Sequence, residues 1–228
     1  MSKKKLSLIF LIVGIVFLSA GLLLKLVFQK PSSLIIPTTS TLSSNNNLIS
    51  TNMNKKILMV IAFKDFRDEE YFVPKEILEK NGFIVETISS QAGLAIGAEG
   101  GEVEISKTAK EIEAKDYEGV IFIGGPGMAK ELDNSDFQKL AQDFYQENKL
   151  VSAICIAPAL LAKAKILEGK QATVWSSALD KSAIKILEEN GAIYKDNSVV
   201  IDGNIITANG PSAAEEFGQA IVRLFEYM

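Results

Sequence analysis

From Lys55 onward, short unbroken apolar runs alternate with longer stretches of helical periodicity. Residues 56–62 (KILMVIA), 119–123 (GVIFI) and Leu150–Ile154 (LVSAI) are apolar on successive positions. That is the pattern of strands buried on both faces of a parallel sheet. Residues 83–88 (FIVETI) predict a further strand, and residues 172–175 another. Apolar spacing predicts helices over about 68–81, stopped by Asn81-Gly82, over 135–148, over 157–163 and over 178–190, closed by Gly191. A ribbon is expected around Glu102–Ile105, a brief helix near 109–114, and a hairpin over 199–206 with Asp202-Gly203 at its turn. Pro211 opens a final helix that runs nearly to Met228. Strands and helices alternating at these lengths imply a mostly parallel sheet covered on both faces. Ligands of such sheets bind at the C-terminal strand ends, where both Gly124-Gly125 and Cys155 fall.

The first 54 residues follow a different pattern. Residues 6–24 form an uncharged, almost wholly apolar run behind Lys3-Lys4-Lys5. As a helix the run would span about 28 Å, close to the hydrocarbon thickness of a bilayer. A cleaved signal peptide fits less well, because Leu18 precedes Ala20 by two and the run continues through Leu22-Leu23-Leu24. The expected organisation is a basic flank over 1–5, a transmembrane anchor over 6–28, a flexible linker over 29–54 rich in Ser, Thr and Asn, and one domain over 55–228. The three leading lysines favour an N-terminus inside and an extracytoplasmic domain.

Charge and residue counts narrow the chemistry. Without the five lysines of the leader, the 24 Lys+Arg fall to 19 against 28 Asp+Glu, so the domain carries a net charge of −9. A surface for nucleic acid needs a basic patch, and none is expected here. One cysteine excludes an intramolecular disulfide and a Cys-rich zinc site, and no metal or organic cofactor is expected. The chain has no histidine. The commonest general base and metal ligand is therefore missing, and a second copy cannot supply one.

Cys155 lies between a buried strand and the helix that begins APALLAKA. On that turn its thiol would face a helix N-terminus, which favours an anion and predicts a lowered pKa. A free cysteine behind a strand can equally be buried and inert. Ala153–Pro158 (AICIAP) resembles the nucleophile elbow of the DJ-one/PfpI family, within the type 1 glutamine amidotransferase-like superfamily. Ile123-Gly124-Gly125 resembles that family's glycine pair, and 66–74 (FRDEEYFVP) its first-helix signature, which carries a glutamate four residues before a proline. The resemblance runs from about Lys55 to the C-terminus.

The resemblance implies a flavodoxin-like three-layer α/β sandwich, with a mostly parallel sheet, helices on both faces and a cysteine nucleophile elbow. It implies Cys155 as nucleophile or oxidisable thiol and Glu70 as the carboxyl that hydrogen-bonds it. Backbone N–H groups of Gly125 and Ile156 would stabilise an oxyanion, with Gly124 and Trp175 lining the pocket. Read without the resemblance, Glu70 is better taken as a solvated helix residue, like Asp68 and Glu69. A carboxyl closed in beside a thiolate should have a raised pKa. The family's histidines are replaced by Ile156 and Trp175, so proteolysis or amidotransfer through a Cys-His pair is not expected. Three functions remain open: an enzyme acting on small reactive carbonyls, of glyoxalase or deglycase type; a redox-sensing or protective protein oxidised at Cys155; or a silent binding module. The partners implied are a small carbonyl substrate or an oxidant, with a homodimer by resemblance alone.

Overall fold

A computed structural model describes residues 54–227. The flank, the anchor and all but the last residue of the linker expected over 1–54 lie outside the described residues. Among the described residues, no helix is long and apolar enough to cross a membrane.

The central sheet contains β1 (Lys56–Val60), β3 (Ile84–Ile88), β6 (Gly119–Phe122), β7 (Leu150–Ile154), β10 (Val199–Asp202) and β11 (Ile205–Ala208), in the order β10-β11-β7-β6-β1-β3. All neighbours are parallel except β10 and β11, which form the expected hairpin. Its turn residues are Gly203 and Asn204, one position later than the sequence pattern indicates, since Asp202 pairs with Ile205. Along β1, Ile57 and Met59 join one apolar cluster while Leu58 and Val60 join the other. This two-sided burial is why the strand reads as an unbroken apolar run.

Helices α1 (Asp68–Lys80) and α5 (Ala214–Tyr227) cover one face of the sheet. Gly218 of α5 lets them approach: a Cβ there would lie 3.1 Å from the Cα of Pro74. Helices α2 (Ser135–Gln146), α3 (Pro158–Lys163) and α4 (Ser182–Glu189) belong to the other face, where Phe137, Leu140, Phe144, Leu160 and Leu187 are buried. The fold is thus the three-layer α/β sandwich, mostly parallel at its centre.

Several elements differ from the sequence expectation. The ribbon at β5 (Glu102–Ile105) belongs to a separate three-stranded sheet with β2 (Lys64–Phe66) and β4 (Gly93–Gly97). Neither partner strand has enough apolar length to stand out. Residues 109–114 form no α-helix but two 3-10 turns, Ala109–Glu111 and Ala114–Asp116. The strand expected over 172–175 shrinks to β8 (Gln171–Ala172), which pairs with β9 (Ile193–Tyr194) outside the central sheet. Beyond it, Thr173 donates its N–H to Thr207 Oγ1 at 2.9 Å instead of joining a backbone ladder. Helix α4 begins at Ser182, not at 178, because Ser177 Oγ accepts the N–H groups of Leu179 and Asp180 and closes a turn.

Candidate functional site

Cys155 follows β7 directly and has φ 64°, in the left-handed region where a side chain other than glycine is strained. Two backbone bonds hold it there. Its own N–H donates to the Ala208 carbonyl at 2.9 Å, and its carbonyl accepts the Trp175 N–H at 2.8 Å. The strain aims the side chain into the space above the sheet, and Pro158 starts α3 three residues later. Cys155 as a whole is 9% exposed.

Glu70 comes from the first turn of α1 and is wholly buried. It reaches the elbow because Gly124 and Gly125, which follow Ile123 at the end of β6, have no side chains. Gly124 donates its N–H to Glu70 Oε2 at 3.1 Å. A Cβ on Gly124 would lie 2.5 Å from the Cβ of Cys155 and 2.6 Å from Oε2. At Gly125, with φ +107°, a Cβ would meet the backbone nitrogen of Arg67 at 2.5 Å. The glycine pair therefore lets three chain segments converge on one point. Pro74, four residues after Glu70, offers no N–H to the Glu70 carbonyl, so α1 lacks one of its ladder bonds at this position.

The backbone N–H groups of Gly125 and Ile156 and the Glu70 carboxyl all lie close enough to the Cys155 thiol to act on its ionisation. Glu70 Oε1 is buried without a hydrogen-bond partner. Burial pushes the Glu70 carboxyl up to about 7, against the downward pull of Cys155, Arg67 and the Gly124 N–H. Burial also pushes the Cys155 thiol up to about 12, helped by the charge and hydrogen bond of Glu70. The expectation of a lowered thiol pKa is corrected here. Helix α3 has only six residues, and its terminus and the two N–H groups are outweighed by desolvation and the neighbouring carboxylate. Between pH values of about 7 and about 12 the pair holds one proton between two acids.

Ile156 and Trp175 are half-buried and pack against the same apolar cluster as Cys155. Trp175 also faces Gly210, whose Cβ position would lie 3.5 Å from Trp175 Cδ1. The structure brings Cys155, Glu70, Gly124, Gly125, Ile156 and Trp175 to the C-terminal end of the sheet. It adds two residues that sequence reasoning missed. Arg67 donates its N–H to the Gly124 carbonyl at 3.1 Å, and its side chain forms an ion pair with Glu99. Arg67 lies within the first-helix signature, but Glu99 follows a strand the sequence does not announce and carries no signal. Among the described residues, no cluster of His, Cys, Asp or Glu could hold a metal ion.

The site can deliver a sulfur nucleophile, accept its proton and stabilise an oxyanion through two backbone donors. Residues 55–224 match the DJ-1/PfpI family. MJ0967 of Methanocaldococcus jannaschii is 41% identical over 204 residues, which cover 87% of this chain and 98% of the archaeal protein. YraA of Bacillus subtilis, whose name suggests a cysteine protease, is 32% identical over 177 residues, 76% of this chain and all of YraA. The solved ThiJ/PfpI domain protein from Brachyspira murdochii superposes with a TM-score of 0.73 and 32% identity, covering 77% of this chain and 99% of its own. From the first strand of the sheet into the last helix, the chain belongs to the DJ-1/PfpI family.

Proposed function

We propose that this chain is a cysteine-dependent enzyme acting on small reactive carbonyls, with Cys155 as nucleophile and Glu70 as its general acid–base partner. The observation that carries the reading is a wholly buried carboxyl, poised at about 7, against the elbow cysteine. A base is most useful when its pKa lies near the working pH. Histidine usually fills that role, and the desolvated Glu70 supplies the same range without one.

In the first step the Cys155 sulfur adds to the aldehyde carbon, and Glu70 takes the thiol proton as the S–C bond forms. The carbonyl oxygen becomes an oxyanion facing the N–H groups of Gly125 and Ile156, and Glu70 then returns the proton to give a hemithioacetal. With an α-oxoaldehyde, transfer of the C1 hydrogen to C2 through an enediol yields a thioester. Water hydrolyses that thioester to a 2-hydroxy acid and regenerates the thiol. The aldehyde carbon is oxidised, its neighbour is reduced, and no external electron acceptor is required.

The test is conversion of methylglyoxal to lactate by the full chain. Turnover should be lost in Cys155→Ser and reduced by two to four orders of magnitude, about 10²–10⁴-fold, in Glu70→Gln. Turnover retained in the serine variant defeats the proposal. The apolar run over 6–24 supports placing this chemistry on a membrane, with the domain outside the cytoplasm. Extraction of the full chain by alkaline carbonate without detergent would contradict that placement.

A further inference from the structure

The Cys155–Glu70 site is connected to the surface through one residue. Gly124 donates its N–H to Glu70 Oε2 and accepts the N–H of Arg67 on its carbonyl, each at 3.1 Å. Arg67 is therefore fixed through its backbone on the far side of the glycine from Glu70. Its guanidinium has a buried, unpartnered Nε and ends on Glu99 in an ion pair, with side chains 34% and 49% exposed.

Glu99 is held in turn. Its N–H donates to Asp68 Oδ2 at 2.8 Å, and the Asp68 N–H donates to Glu99 Oε2 at 3.2 Å. Gly101 donates to Asp68 Oδ1 at 2.6 Å, so both Asp68 oxygens are committed to the loop between β4 and β5. The charged or titratable groups acting on Glu70 are Cys155 from the elbow, Arg67 from the start of α1 and Glu99 from this loop.

We propose that the Arg67–Glu99 pair sets the ionisation of the Cys155–Glu70 site, with Arg67 as a positioning residue that favours the singly ionised pair and Glu99 as its counterweight. The proposal rests on the reading that Cys155 and Glu70 act as one unit. When the unit loses its first proton it gains a negative charge, which a nearby cation stabilises and a nearby anion opposes. The opposite pulls of Arg67 and Glu99 on the Glu70 proton agree with this geometry. Because the pair is part-exposed, its influence is open to screening by salt.

The test is the pH profile of Cys155 alkylation by iodoacetamide in the full chain, read at its lower inflection. Arg67→Gln should move the inflection up, Glu99→Gln should move it down, and Arg67→Lys should leave it near the wild-type position. High potassium chloride should shrink both displacements. The two glutamine variants break the same ion pair, so a merely structural role moves them in the same direction. That result, or no movement in either, overturns the proposal. If Arg67→Gln does not fold, Glu99→Gln decides alone: an inflection that stays or rises overturns it. A Glu70→Gln profile identical to wild type would instead defeat the Cys155–Glu70 unit itself.

Discussion

Gly124 donates its backbone N–H to Glu70 Oε2 at 3.1 Å, in a space that would not accept a methyl group. A Cβ at this position would stand 2.5 Å from Cys155 and 2.6 Å from the carboxylate oxygen. Contact between the acid and the thiol thus depends on the absence of one side chain. Gly124→Ala should separate the pair and cost about 1–3 kcal/mol through overpacking. Denaturant unfolding measures the stability, and alkylation of Cys155 at neutral pH reports the lost pairing.

Glu70 gives stability a definite pH dependence. Its pKa is about 7 folded against an ordinary 4.5, so the folded chain binds more protons between those values. The associated stability is complete below about 4.5 and is lost as pH rises through about 7. The difference corresponds to roughly 3 kcal/mol. Glu70→Gln should remove this slope, gaining on wild type as pH rises through the window. Unfolding curves collected across the window test it; parallel slopes in the two proteins would contradict the burial argument.

Trp175 is the only tryptophan in the chain, and its backbone N–H donates to the Cys155 carbonyl at 2.8 Å. Its half-buried ring packs against the cluster that contains Cys155. Alkylation of the thiol should therefore change the intrinsic fluorescence in step with the mass increase at Cys155. Cys155→Ser treated identically should show no change, and an unresponsive wild-type emission would separate the ring from the pocket.

Much of the architecture was legible because burial on two faces leaves a distinctive trace. The runs at β1, β6 and β7 are apolar apart from Lys56 and Ser152, and the turn after β7 isolates Cys155. Strands β2 (KDF) and β4 (GLAIG) are too short, polar or glycine-flanked to carry a period. The segment before Trp175 resembles a strand because it is apolar, yet its partners are a threonine hydroxyl and the elbow carbonyl.

The site was legible in a different way. Cys155 follows from the strand–helix junction, whereas Glu70 is one of three acids in sequence (Asp68, Glu69, Glu70), of which it alone is fully buried. Only the family resemblance distinguishes it beforehand. The direction of the thiol pKa was not legible at all. A helix terminus can be read from sequence, but desolvation and the nearby carboxylate arise only when folding brings Glu70 of α1 to Gly124 beside the elbow.

The most direct test of the Cys155–Glu70 pair is the rate of iodoacetamide alkylation at Cys155 as a function of pH, in wild type and in Glu70→Gln. The wild-type rate should rise through about 7, where the pair loses its first proton. In Glu70→Gln that rise should vanish, leaving one thiol ionisation below the wild-type upper value of about 12, since the repelling carboxylate is gone. A single wild-type inflection near the ordinary thiol value of about 8.5, unchanged in Glu70→Gln, would contradict the account.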